Sequence, residues 1–172
     1  GILAFNEVSG TGATLSQVLT IDPNTVLHVH YAGIAVATNA YRGGLAVQTL
    51  GIDGNTVALV QPLLVDAVGI GVRNTAGQGS SSGTISQTLA ITSNSVATIG
   101  PLGGGLRGDG ISLLNDARSG SLISQAATVA ANTISGVDGV VSAFGVDNLN
   151  FAKTSGATIT QALSITGNSV SG

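Results

Sequence analysis

Few side chains in this sequence can do covalent or acid–base chemistry: eight Asp and Glu, two His and no Cys among 172 residues. His28 and His30 lie two apart, a spacing that on a strand puts both imidazoles on one face, where they can chelate a metal. No later repeat supplies a third ligand in that lane, so an ordinary histidine pair is the competing reading. General acid–base catalysis needs two carboxylates held together with shifted pKa values. The candidates are Glu7, Asp66, Asp109, Asp116, Asp138 and Asp147. Asp66 and Asp109 each precede a Gly-Ile segment and are expected to be neighbours, as a carboxylate pair or a Ca2+ site. A turn Asp ahead of Gly is the plainer alternative. Residues 100–110 are rich in Gly but lack the Lys-Ser/Thr of a phosphate loop. No catalytic constellation emerges, so neither enzymatic activity nor a cofactor is expected.

The amides are another matter. A Gln is followed seven residues later by an Asn in five places: Gln17/Asn24, Gln48/Asn55, Gln87/Asn94, Gln125/Asn132 and Gln161/Asn168. Each Asn is followed by Ser or Thr and then Val or Ile. Successive Gln residues are 31, 39, 38 and 36 apart, so a core of fixed length alternates with connections that vary. A period near 36 residues marks a repeat architecture. An amide has two donors and one acceptor, so identical amides one repeat apart can bond to one another. The Asn lane is therefore expected to form a structural ladder, with ligand binding as the alternative. The Gln lane is either a second, interior ladder or a row turned outward at a bend. None of the five Asn residues heads a glycosylation sequon.

The elements that must position these lanes follow from alternation. Residues 82–96 read SGTISQTLAITSNSV, in which Ile85, Gln87, Leu89 and Ile91 share one face and Ser86, Thr88 and Ala90 the other. Period two over seven residues is a strand signal. Two turn-forming residues, such as Thr92-Ser93 or Asp22-Pro23, then precede the Asn and suit a corner. A second marker, Gly-Ile or Gly-Val followed by a short apolar run and an Asn, recurs with Asn6, Asn39, Asn74, Asn115 and Asn150; the Asn39 copy carries one extra residue. Cutting at those glycines gives units 1–32, 33–68, 69–109, 110–144 and 145–172, each of three short strands. Insertions are expected between the third strand and the next Gly-Ile, with residues 100–110 as a surface loop. The outer face of the Gln strand is Ser, Thr, Ala, Val and Gly, a flat surface suited to another solenoid, ice or glycan.

Composition agrees with order and with β structure. Only 8% of residues are charged, against roughly 25% in ordinary domains, and β-branched residues and Gly outweigh the strong helix formers. A net charge of −3 leaves no basic footprint for nucleic acid. The most apolar stretch, residues 57–72, is broken by Gln61, Pro62 and Asp66, so no membrane span is expected.

Gly-Ile-x-apolar-x-Asn followed by Ile-x-Gln-x-Leu-x-Ile-x-x-Asn-Ser/Thr-Val resembles the repeats of right-handed parallel β-helices of the pectate-lyase-like type. Such repeats also occur in bacterial autotransporter passengers, adhesins and tailspikes. The resemblance spans the chain and implies an all-β, single-stranded, right-handed β-solenoid of about five coils in one domain. It further implies a secreted or cell-surface location and a structural or adhesive role, with polysaccharide binding or degradation as an alternative; the flat outer face adds ice or surface binding as another. The sequence opens and closes inside a repeat without a polar cap. The expected partner is therefore itself or flanking solenoid repeats stacked end to end, with surface glycans as a further candidate.

Overall fold

The computed structural model describes residues 1–62, 65–100, 107–139 and 141–172. The first turn runs through β1 (Ile2–Ser9), β2 (Thr14–Ile21) and β3 (Thr25–Val29). The second comprises β4 (Ala32–Tyr41), β5 (Leu45–Asp53) and β6 (Thr56–Val60), and the third β7 (Ala67–Ala76), β8 (Thr84–Thr92) and β9 (Ser95–Ile99). The fourth holds β10 (Arg107–Arg118), β11 (Leu122–Ala130) and β12 (Thr133–Val137). β13 (Ser142–Lys153), β14 (Thr158–Thr166) and the three-residue β15 (Ser169–Ser171) follow. Equivalent strands of successive turns pair in parallel, giving three five-stranded sheets ordered β1-β4-β7-β10-β13, β2-β5-β8-β11-β14 and β3-β6-β9-β12-β15. The protein is a parallel β-solenoid. Where the sequence suggests five coils, there are about four full turns and a fifth with a shortened third strand.

Register is kept by the repeat itself. Gln17 pairs with Gln48, Gln48 with Gln87, Gln87 with Gln125 and Gln125 with Gln161. Slipping one residue would turn every Ile, Leu and Gln of that strand to the other face. The buried residues form two clusters. The larger fills the space towards the third sheet and includes Ile34, Ile52, Val57, Ile70, Ile91, Val96 and Ile134. The smaller, with Ala40, Ala46, Ala76, Ile85, Ala117 and Ile123, lies at the corner joining the first two sheets.

The two sequence markers are one packing unit. Gly33, Gly69, Gly110 and Gly145 lie against Val57, Val96, Ile134 and Val170 of their own turns, so close that a Cβ on the glycine would overlap the branched side chain. In the first three a Cβ would also strike the carbonyl oxygen of the next glycine in the column. None of the four has positive φ. Close approach, rather than backbone freedom, fixes glycine there.

Four sequence expectations need correction. Asn39 is not preceded by an inserted residue: β1 and β4 pair without a break, Ile2 with Ile34 and Asn6 with Thr38. Thr38 takes the inward position and Asn39 the outward one. His28 and His30 do not share a strand face, because His28 adopts a left-handed conformation (φ 56°), repeated one turn apart by Leu59, Thr98 and Gly136. That kink breaks the alternation, and both histidines are exposed. Insertions are not confined to the entry of the first sheet, since residues 77–83 lengthen the corner between β7 and β8. The loop expected at residues 100–110 falls partly outside the described residues, and from Arg107 onward it is strand.

Candidate functional site

Most of the buried polar side chains are amides. Asn55 Oδ1 accepts both the backbone N–H and the Nδ2–H of Asn24, at 2.9 and 3.1 Å. Asn94 does the same for Asn55, Asn132 for Asn94 and Asn168 for Asn132. Each Nδ2 from Asn55 onward also donates to a backbone carbonyl of the preceding turn: Ile21, Ile52, Ile91 and Val129 in order. The ladder thus satisfies corner backbone groups that the sheets cannot reach. The turn ahead of the Asn is tight enough to put Gly54, Ser93, Ala131 and Gly167 at positive φ.

The Gln lane faces inward. Gln48, Gln87 and Gln125 are 2–3% exposed, and Nε2 of each donates to Oε1 of the Gln one turn earlier. Gln161 continues the column at 2.7 Å. A third lane, from the first sheet, completes it: Asn74 Nδ2 donates to Gln87 Oε1 and Asn115 Nδ2 to Gln125 Oε1, at 2.9 and 3.0 Å. Asn150 joins Gln161, and Thr38 Oγ1 joins Gln48. Each of these Gln oxygens up to Gln125 therefore accepts one bond within its turn and one from the next. The Gln column donates towards the first turn, whereas Asn74 donates to Asn115 and Asn115 to Asn150, away from it, as the corner Asn column does. The sequence showed these first-sheet Asn residues as markers but not as partners of the Gln lane, because that pairing crosses the core between sheets.

These amides are bonded to one another, which leaves external chemistry to the outer faces. The second sheet presents Thr84, Ser86, Thr88 and Ala90 in one strand opposite Leu122, Ser124, Ala126 and Thr128 in the next, in unbroken register. A shallow depression of about 390 Å³ lies over Ala90, Ala126 and Ala162. The first sheet is its opposite. All three Phe (Phe5, Phe144 and Phe151) lie on it, and the chain's five cations, Arg42, Arg73, Arg107, Arg118 and Lys153, lie on it or at its end.

Two ion clusters and one groove occupy that sheet. Arg107 Nη2 bridges Asp109 at 3.3 Å and Asp147 at 2.6 Å, with its guanidinium 5.1 Å from the centre of the Phe144 ring. Asp66 does not pair with Asp109; its Oδ1 accepts the Arg107 backbone N–H at 2.9 Å. Burial, with Asp147 and Asp66 nearby, pushes the Asp109 carboxyl above its ordinary value while Arg107 restrains it. Asp109 belongs to β10 and not to a turn. Asp116 is bonded by Arg118 and lies 3.3 Å from Lys153 Nζ, and hydrogen bonding from Arg118 holds it below the usual carboxylate range. Asp138 accepts the N–H of Gly139 and Glu7 stands on the outer face of β1. Among the described residues no group of three His, Asp or Glu could hold a metal ion.

The groove adjoins the long corner at residues 77–83. It has two lobes, of about 440 and 320 Å³, which share Tyr41 and Gln78. Glu7 and Arg42 line the first lobe, Phe5, Arg73 and Arg118 the second. Its wall is a tight turn closed by Gln78 N–H to Ser81 O and Ser81 N–H to Gln78 O, both 3.1 Å. Burial and Glu7 raise the Tyr41 hydroxyl pKa, against Arg73 and Arg118, which lower it. The sequence carries a signal for this wall: Asn74 and Gln87 are 13 residues apart, where Asn115 and Gln125 are 10 apart.

No family model, no curated protein and no solved structure matches the chain. No helix among the described residues is long and apolar enough to cross a membrane.

Proposed function

We propose that the chain is an extracellular structural or adhesive element, non-catalytic in itself: a stiff solenoid rod that stacks with further repeats or further copies of itself. The observation that carries this reading is the recurrence of the same bonds from turn to turn. The Gln and corner Asn ladders run through all five turns and the contacts of glycine with Val or Ile through the last four, so the same bonds would join one more turn to the last. Stability in such arrays is close to a sum of repeat and interface terms. A tandem fusion of two copies should therefore unfold as one unit, at a higher denaturant midpoint than a single copy. Two independent transitions at the single-copy midpoint would overturn the rod reading.

A second reading is favoured by the outer face of the second sheet. Its side chains, small hydroxyls and methyls with Val18, Val47 and Leu122 among them, repeat at ~4.8 Å between turns and ~6.6 Å along each strand. That lattice suits a regular surface such as ice or a crystalline polysaccharide. Thermal hysteresis or crystal-growth shaping, abolished by Thr88→Lys in the middle of the face, would support it.

A further inference from the structure

We propose that the groove between the first sheet and the corner at residues 77–83 binds an anionic glycan, a polyhydroxylated chain bearing carboxylate or sulfate groups. The inference deepens the adhesive reading and rests on it only for the stiffness of the scaffold.

Three features point to this ligand. First, Arg42 and Arg73 are both exposed, and among the described residues neither forms a salt bridge, whereas Arg107, Arg118 and Lys153 each do. A guanidinium offers a planar fork of donors matched to an oxyanion. With one such group in each lobe, two acidic groups on one chain can be held at once. Second, hydroxyls and amides line both lobes, Ser9, Asn39, Thr75, Gln78 and Ser81, with the Tyr41 ring at the junction and the Phe5 ring in the second lobe. That set bonds sugar hydroxyls and offers a flat surface to a pyranose face. Strand addition needs an open sheet edge; β4 and β7 beneath the groove are paired on both sides and only β1, at its rim, is an edge, so across the groove recognition falls to side chains. Third, the wall is built rather than loose. The Gln78–Ser81 turn is closed by its reciprocal bonds, Ser119 Oγ bonds to Gly79 O, and Gly77 N–H bonds to Ala40 O at 2.9 Å. Glu7 faces the same groove and opposes an acidic ligand, so it limits affinity and selects where the charges sit.

The test is calorimetric titration of the purified chain with three probes of similar length: a heparin-derived sulfated hexasaccharide, hexagalacturonate and neutral cellohexaose. Either acidic probe should bind and cellohexaose should not, and the tighter acidic probe names the charge chemistry. Arg73→Ala and Arg42→Ala should each weaken binding by about tenfold, the scale of a lost charge-assisted hydrogen bond. Glu7→Gln should tighten binding, a gain that a merely structural role for Glu7 would not produce. Circular dichroism of each variant confirms that the solenoid is intact. Equal binding of cellohexaose, no binding of either acidic probe at millimolar concentration, or unchanged affinity in both arginine variants would overturn the proposal. The tandem-fusion result would stand either way.

Discussion

Thr38 lies in register with Asn74, in the only turn where a hydroxyl replaces an amide in the first-sheet column. The two buried amide atoms left without partners in that column flank it: Asn6 Nδ2 on one side and Asn74 Oδ1 on the other. The Thr38 hydroxyl donates to Gln48 and has no second hydrogen for Asn74.

Restoring the amide should therefore stabilise the protein. Thr38→Asn places an acceptor against Asn6 and a second donor against Asn74, and we expect a gain of about 1 kcal/mol. Urea midpoints at constant m-value measure it. A lower midpoint would show that the site lacks room for the larger side chain.

Removal of an amide from the corner ladder should be severe. Asn94→Ala takes away the acceptor of two Asn55 donors and leaves Asn132 Oδ1 and the Ile52 carbonyl short of a partner. The expected loss is about 3 kcal/mol. Asn39→Ala, on the outer face, should stay within about 0.5 kcal/mol. Equal small effects for the two would remove the ladder as a source of stability.

The glycine column predicts a steric failure. Gly69→Ala should destabilise by about 3 kcal/mol or more, since its Cβ meets both Val96 and the Gly110 carbonyl. Adding Val96→Ala should recover only part of this, because the carbonyl clash remains. Complete recovery would show that the side chain alone sets the requirement.

Asp116 and Asp109 should bend the acid stability curve in opposite senses. Asp116 is held below its ordinary pKa, so its stabilisation is present above the unfolded value, about 3.9, and fades as pH falls through the folded one. Asp109 is held above its ordinary value, so a cost appears as pH rises from about 3.9 through the folded pKa. Relative to wild type, Asp116→Asn should lose ground as pH rises below about 4, and Asp109→Asn should gain ground as pH rises above it. Urea midpoints from acid to neutral pH test this, and slopes of the same sign would contradict it.

The strands and the lanes were legible because period two and the 36-residue recurrence act along the chain, where a sequence can be read directly. Gln87 and Asn94 announce their ladders by returning at fixed spacing. What was hidden depends on contacts between sheets or on φ. Nothing near His28 signals a left-handed residue until Leu59 and Thr98 are seen at the same corner. Asn39 looks like the marker residue while Thr38 holds its place, because a neighbouring Asn disguises the substitution. The groove is legible only in part: the longer Asn74–Gln87 spacing shows an insertion, but gathering Glu7, Tyr41, Arg42 and Arg73 from three turns requires the stacking itself.

The contrary directions of the amide columns bear on the two ends of such a rod. Aligned dipoles that all point one way, as in an α-helix, leave partial charges at the two ends. Here the Gln column donates one way along the rod and the first-sheet Asn column the other, while each corner amide from Asn55 to Asn132 donates both ways. Neither end of such a rod then carries the partial charge that a single aligned amide column would leave there.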